Sequence, residues 1–340
     1  MVNLTLYTRN NCHLCDVTRE DLASLQEQYP HRLIEVDIDA DPSLVMTYGE
    51  KIPVVEVGPY SLSAPIDRKD LAMTIGAAID REEQLEKVGD EGYRRRSKRG
   101  QTVSGGDKFS FWFSRQYMLV FTLLLFLYVG FPVLAPVLMK AGATGPANII
   151  YKMYSPLCHQ FGFRSFFLFG EQPYYPLRET GLTGGETGLV DFESATGIFH
   201  LHEASGNARW EARAYRGSAE VGYKMALCER DMAIYGAMFL FALIFWITGR
   251  RIPPLHWIFW LLIGIGPIGL DGFSQLIAQF ELPALASILP YRESTPFLRT
   301  LTGFLFGFMT AWFSFPYVEE SMRETRQIFI KNNAIVKAME

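Results

Sequence analysis

From Tyr117 to Met139 the chain reads YMLVFTLLLFLYVGFPVLAPVLM, with no charged side chain. An apolar run of about twenty residues matches the ~30 Å hydrocarbon core of a bilayer. Three more such runs follow, near residues 232–248, 255–272 and 297–318. They are long enough and poor enough in charge to be read as membrane-spanning helices. Region 113–320 is thus expected to be an all-α, multi-pass helix bundle in the cell membrane. The first hundred residues are of another kind, polar and amphipathic, and the net charge of −4 over 340 residues averages the two. That average decides nothing about partners. No basic patch with interleaved aromatics is present, which speaks against nucleic acid.

Short elements can be read in order through residues 1–85. LTLY is strand-like, and CDVTREDLASLQEQY carries Val17, Leu22 and Leu25 at helical spacing. RLIEVDI alternates as a strand does, and DPSLVMTYG reads as a short helix capped by Asp41 and closed by Gly49. PVVEV and YSLS suggest a hairpin around Gly58 and Pro59, and IDRKDLAMTIGAAID a last helix with Asp67 at its N-cap. The order is βαβαββα. MVNLTLYTRNNC has no basic n-region and too short an apolar stretch for a secretory signal, so this domain is expected in the cytoplasm.

Cys12 and Cys15 fall between the first strand and the helix that follows it. At a helix N-terminus the free N–H groups and the helix dipole stabilise a thiolate. Cys15, one turn further in, is placed to attack a mixed disulfide formed at Cys12, and thiol exchange needs both features. A zinc site would need a second ligand pair. The other cysteines, Cys158 and Cys228, lie beyond a membrane run, and His13 and His31 are unpaired by spacing. A redox dithiol is the reading preferred over zinc or two inert cysteines.

On CHLC after the first strand and KIPVVEV opening the third, residues 3–80 resemble a glutaredoxin-like member of the thioredoxin superfamily. The resemblance implies an α/β thioredoxin-like fold, with Cys12 as nucleophile and Cys15 as resolving thiol. It implies a cis Pro53 beside the dithiol, with Ile52 and neighbouring backbone offered to the substrate, and it sets His13 next to the thiolate. No cofactor is required. Relatives that use glutathione carry a Gly-Gly turn and a polar helix start after the hairpin. This chain has YSLSAPIDRKD there, where Ser63, Asp67 and Arg68 are poor substitutes. A protein disulfide or another small thiol carrier is therefore as good a partner as glutathione.

Residues 86–112 are charged and Gly-containing, and read as a flexible linker. Their RRRSKRG cluster is a positive-inside signal before the first run. Arg250 and Arg251 follow the second run, and Arg323, Arg326, Lys331 and Lys337 lie in the tail 321–340. Four crossings put all three basic segments on one side, with both termini cytoplasmic and residues 140–230 and 271–296 outward. SQLIAQFELPALASILP, with Glu281 and Pro283, is read as a re-entrant or partial helix rather than a fifth crossing.

Several polar motifs fall near the outer face of this bundle. GIGPIGLDG is Gly- and Pro-rich inside an apolar run, so a helix break is expected there, of the kind that lines a cavity. Asp271 and Gln275 would share a face beyond it. An acid at such depth needs a basic partner, and Arg292, Arg230 and Arg164 are the candidates. Cys158-His159-Gln160 with Arg164-Ser165, Cys228-Glu229-Arg230, Asp271-Gly272 with Gln275, and Arg292 with Ser294-Thr295 resemble the signature of a family of predicted bacterial integral membrane proteins. That resemblance covers about 110–320 and implies no particular activity. Residues 171–226 interrupt it as a small, Gly-rich, β-like insertion, where IFHLH would put His200 and His202 on one strand face.

Cys158, His159 and Cys228, with Asp271 nearby, are expected to converge. A Cys158–Cys228 disulfide is favoured over zinc at Cys158, His159 and Cys228. The function expected is that of a membrane-tethered thiol–disulfide oxidoreductase with a cytoplasmic dithiol. The alternative is a membrane enzyme, or a small-solute or lipid transporter, with its site at the outer face and the N-terminal domain as redox sensor or accessory.

Overall fold

The computed structural model describes residues 2–89, 102–184, 188–201, 207–279 and 292–339. RRRSKRG, His202, Glu281 and Pro283 lie outside the described residues. The chain divides into two compact units, residues 1–116 with 321–340, and residues 117–320.

The first unit is built on four strands and three helices: β1 (Val2–Thr8), α1 (His13–Leu25), β2 (His31–Asp37), α2 (Pro42–Tyr48), β3 (Val54–Val57), β4 (Tyr60–Ser63) and α3 (Arg68–Val88). The sheet order is β2-β1-β3-β4, with β1 parallel to β2 and antiparallel to β3. Asp41 and Asp67 cap α2 and α3 by accepting from the N–H of Ser43 and Lys69, which satisfies donors that a helix start leaves open. One sheet face packs Leu4, Leu6, Val55 and Val57 against Leu22 and Leu25 of α1 and Leu71 and Ile75 of α3. Val17, expected on that inward stripe, is 41% exposed. The buried face of α1 runs instead through Cys15, Thr18, Leu22 and Leu25, at i, i+3, i+7 and i+10.

The other sheet face carries Tyr7, Ile34, Val36 and Val54, and α2 covers only part of it. Ile330, Ala334, Ile335 and Met339, from the last helix of the chain, pack against the same cluster together with Ile52. Lys331 pairs with Glu56 of β3 at 2.7 Å. The tail thus supplies part of the second helical layer of this unit.

The second unit is mostly helical. Its long elements are α4 (Gly105–Lys140), α5 (Thr144–Tyr154), α8 (Glu229–Ile247), α10 (Gly266–Gln279) and α11 (Pro296–Met339), with α4 and α11 reaching beyond it in sequence. Among the described residues, four helices are long and apolar enough to cross a membrane: Gly105–Lys140, Glu229–Ile247, Trp257–Ala278 and Pro296–Met339. The third does not break at GIGPIGLDG. It begins as α9 (Trp257–Phe259), widens into a π-helix at Trp260–Ile265, and continues as α10. Pro267 has no N–H to donate back into the preceding turn, and a wider turn accommodates that loss without ending the helix. Helix α11 lies close against α8. A Cβ on Gly303 would meet the Arg230 carbonyl oxygen at 2.7 Å, and one on Gly307 the Ile234 carbonyl oxygen at 2.1 Å. This is the close approach that a small-xxx-small pair permits.

Between α5 and α8 sits a small α+β insertion. Strands β5 (Phe167–Leu168), β6 (Gly217–Ser218) and β7 (Gly222–Lys224) form a sheet in the order β5-β7-β6, with α6 (Phe192–Thr196) and α7 (Asn207–Ala214) beside them. Its core joins Phe163, Phe167, Tyr175, Leu177, Phe192 and Ala212. Ile198–Leu201 are not in a strand, and His200 is exposed with a positive φ of 67°.

Candidate functional site

Cys12 is the N-cap of α1, and its Sγ accepts from the Cys15 N–H at 3.2 Å. The two cysteines are joined in a disulfide, with their Cα atoms 5.2 Å apart. Cys12 is half-buried and Cys15 wholly buried, so of the two residues only Cys12 reaches solvent. His13, the first residue of the helix, is exposed. The Ile52–Pro53 peptide is cis. Tyr7 of β1 pairs with Val54 of antiparallel β3, which places Pro53 at the sheet end from which the chain runs on to Cys12. Asp67, considered above for a glutathione carboxylate, is engaged in capping α3.

Two polar centres stand apart from this in the second unit. The first gathers Asp271, Gln275, Arg164, Arg230 and Arg292, all singled out from the sequence, with Glu293, Ser294, Arg299 and Glu229. Asp271 is buried, contacts Arg230, and accepts from Arg292 at 2.9 Å and from the Ser294 hydroxyl at 2.7 Å. Arg164 does not join Asp271. It forms a two-pronged pair with Glu293 at 2.8 and 2.9 Å, and Arg299 contacts the same carboxylate. Gln275 donates to Glu293 at 2.7 Å. Burial pushes the Glu293 carboxyl up, but Arg164 and then Arg299 outweigh it and hold it below the usual carboxylate range. Glu229 is fully buried. Its carboxylate oxygens have no hydrogen bond among the described residues, and the nearest cation, Arg299 Nη1, stands 3.6 Å away.

The second centre joins the two free cysteines. Cys158 Sγ accepts from the Cys228 N–H at 3.3 Å and from the Gln160 N–H at 3.5 Å. Cys228 is the N-cap of α8, with its Sγ accepting from the Asp231 N–H at 3.5 Å. The thiols are near but not bonded, so the expected disulfide is not formed in this structure. The neighbouring Cys228 thiol holds the Cys158 thiol below its usual range, and the nearness of Cys158 together with burial pushes Cys228 up. His159 and Asp271 do not converge here. Cys158 turns inward, so its neighbour His159 is turned outward, exposed and stacked on Phe161 with ring centroids 5.6 Å apart. Asp271 is held by its own arginines. The carboxylate that does meet the two sulfurs is Asp231. Gln160 ties the Cys158 loop down by donating to the Ala226 and Tyr151 carbonyls at 2.8 and 2.9 Å. Lys224 is wholly buried beside it, donating to the Gln160 and Arg213 carbonyls at 2.6 and 2.7 Å. Burial, and after it the charge of Arg216, pushes its ammonium well below the usual lysine range.

Sequence reasoning passed over Asp231, Glu293, Arg299 and Lys224, and named Glu229 only within the Cys228-Glu229-Arg230 motif. Glu293 sits inside the motif formed by Arg292 and Ser294-Thr295, and Arg299 lies one helical turn beyond it. The missed signal was an acid flanked by arginines directly at the mouth of an apolar run.

Residues 3–86 match the profile of the glutaredoxin-like domain (DUF836), and residues 216–313 that of a predicted membrane protein family (DUF2085). The chain joins a glutaredoxin-like domain to a DUF2085 membrane domain. Its N-terminal domain is also similar to the X-ray structure of a structural genomics target protein from X. campestris. The two are 37% identical over 22% of this chain and 96% of that one, with a TM-score of 0.20. No curated protein matches the chain significantly. The membrane profile takes in Cys228, Asp231, Asp271 and Glu293, while Cys158 and Arg164 lie before its start.

Proposed function

We propose that the chain is a membrane-tethered thiol–disulfide oxidoreductase working through Cys12 and Cys15. The observation that carries this is the asymmetry of the dithiol: an accessible cysteine at the helix N-cap, backed by a buried one a turn further in. In the reduced state the helix N-terminus favours a thiolate at Cys12. That thiolate attacks one sulfur of a substrate disulfide, the other sulfur leaves as a thiol, and a mixed disulfide forms at Cys12. The Cys15 thiolate then attacks Cys12 Sγ, releasing the second substrate thiol and closing Cys12–Cys15. Two electrons pass to the substrate, and an external thiol reductant restores the dithiol. Pro53 and Ile52 border the substrate groove, and His13 lies on its open side. A protein disulfide or small thiol carrier fits the unmodified YSLSAPIDRKD segment at least as well as glutathione. The basic segments favour a cell-membrane location with both termini in the cytoplasm. Full-length protein in detergent should reduce insulin or a small disulfide in the presence of a dithiol reductant. A C12S variant equal to wild type in that assay would refute the reading.

A second reading is favoured by one specific observation, the buried arginine–carboxylate centre around Asp271 and Glu293. Buried ionic groups next to a membrane run are costly and tend to serve a function. On this reading the membrane domain has its own ligand or substrate, and the glutaredoxin-like domain reports or adjusts redox state. Loss of a cellular phenotype on Asp271→Asn, with the dithiol activity unchanged, would favour it.

A further inference from the structure

We propose that Cys158, Cys228 and Asp231 form a binding site for a thiophilic divalent cation of the zinc class, independent of the dithiol in the N-terminal domain. One sulfur of each cysteine and one Asp231 oxygen all lie within 4.8 Å of one another. Tetrahedral zinc with sulfur ligands at ~2.3 Å sets those sulfurs about 3.8 Å apart, a separation that donors this close reach with small side-chain adjustments. The donors come from two places in the chain, the loop after α5 and the first turn of α8, which are packed into one core with Tyr151, Tyr154, Ala226 and Leu227.

Each sulfur is already aimed. Cys158 Sγ takes N–H bonds from Cys228 and Gln160, and Cys228 Sγ takes one from Asp231. Outer hydrogen bonds of this kind orient metal ligands and tune them. The third donor decides between the two chemistries open to a pair of neighbouring cysteines. A disulfide needs no carboxylate, and a carboxylate beside two thiols opposes their ionisation through like-charge repulsion. Around a divalent cation the same carboxylate adds to the attraction.

Three protein ligands leave the fourth position of a tetrahedral ion open, which distinguishes sites that accept an outside group from closed structural ones. Cys158 lines an open cleft together with Ser155, Pro156, Leu157, His159 and Arg213, so the ion is reachable from that side.

Elemental analysis tests the proposal on full-length protein purified in detergent, without chelator, and equilibrated with zinc. The expected result is one zinc per chain, retained in the C12S/C15S double variant and in H159A, and lost in C158S, C228S and D231N. Cobalt loading gives a second readout: a sulfur-to-cobalt charge-transfer band in wild type that disappears in C228S. D231N and H159A leave the packed sulfurs untouched, so they decide the matter even where a cysteine variant fails to fold. Absence of zinc from loaded wild type overturns the proposal. So does a Cys158–Cys228 disulfide in protein kept from reductant, or zinc that survives D231N but not H159A.

Discussion

Cys12 stands at a helix start and in contact with solvent, whereas Cys15 is sealed beneath it, and this difference is measurable. After reduction, alkylation at mildly acidic pH should label Cys12 before Cys15, and faster labelling of Cys15 would reverse their roles. In the C15S variant mixed disulfides should accumulate at Cys12 and identify the substrate. Glu293 offers a test of a different kind. Its carboxylate is buried between Arg164 and Arg299, so Glu293→Gln removes the charge both cations share, leaving Arg299 the more distant Glu229, and should cost about 3 kcal/mol. Its folded-state pKa is held low. The stability it contributes is therefore complete above the ordinary carboxylate range near ~4.3 and is lost as pH falls through the lowered value. The gap in unfolding temperature between wild type and E293Q should be wide at neutral pH and close in acid; a gap independent of pH would count against the assignment. The dithiol was legible in the sequence because a C-x-x-C after a strand is a local signal. Lys224 and Glu229 were not, because their burial is decided by segments far away in the chain.

Helix ends and turns were legible for the same reason. Asp41 and Asp67 sit at the caps read for them, since capping involves neighbours two residues on. The third apolar helix was misread as broken because Gly and Pro mark both helix ends and π-turns, and only packing separates the two. The last helix, α11, carries two features that periodicity did not announce. Gly303 and Gly307 let it approach α8 closely, and Gly307→Leu should force the pair apart and scatter Arg230 and Arg299. Loss of monodispersity or a lowered unfolding temperature in detergent is expected, and a variant as stable as wild type would mean the helices do not pack there. Further along, Ile330 and Ile335 fill the second face of the N-terminal sheet. Each is half-buried, so the I330A/I335A double variant should lose about 2 kcal/mol. Faster hydrogen exchange in β2 and α2 would report it, with α1 and α3 protected as before. Lys331→Ala should change little, because its pair with Glu56 is partly exposed.

For the whole chain, four helices apolar enough to cross a membrane and three basic segments favour one proposed topology, with both termini on the same side. Reporter fusions after Lys108 and at the C-terminus should both read as cytoplasmic. A C-terminal reporter on the far side would mean that the region around Glu281 crosses as well. The tail's contribution to the first domain also has a consequence for biosynthesis. Strands β1 to β4 leave the ribosome well before Ile330 to Met339, which follow about 270 residues later. At roughly 5–20 residues per second that interval is on the order of ten to fifty seconds. Throughout it, part of the sheet's second face is open and greasy, in the same period in which the apolar helices are being handed to the membrane. The nascent domain is then a natural client for a holding chaperone, and its maturation waits on the synthesis of Ile330 to Met339 rather than on its own.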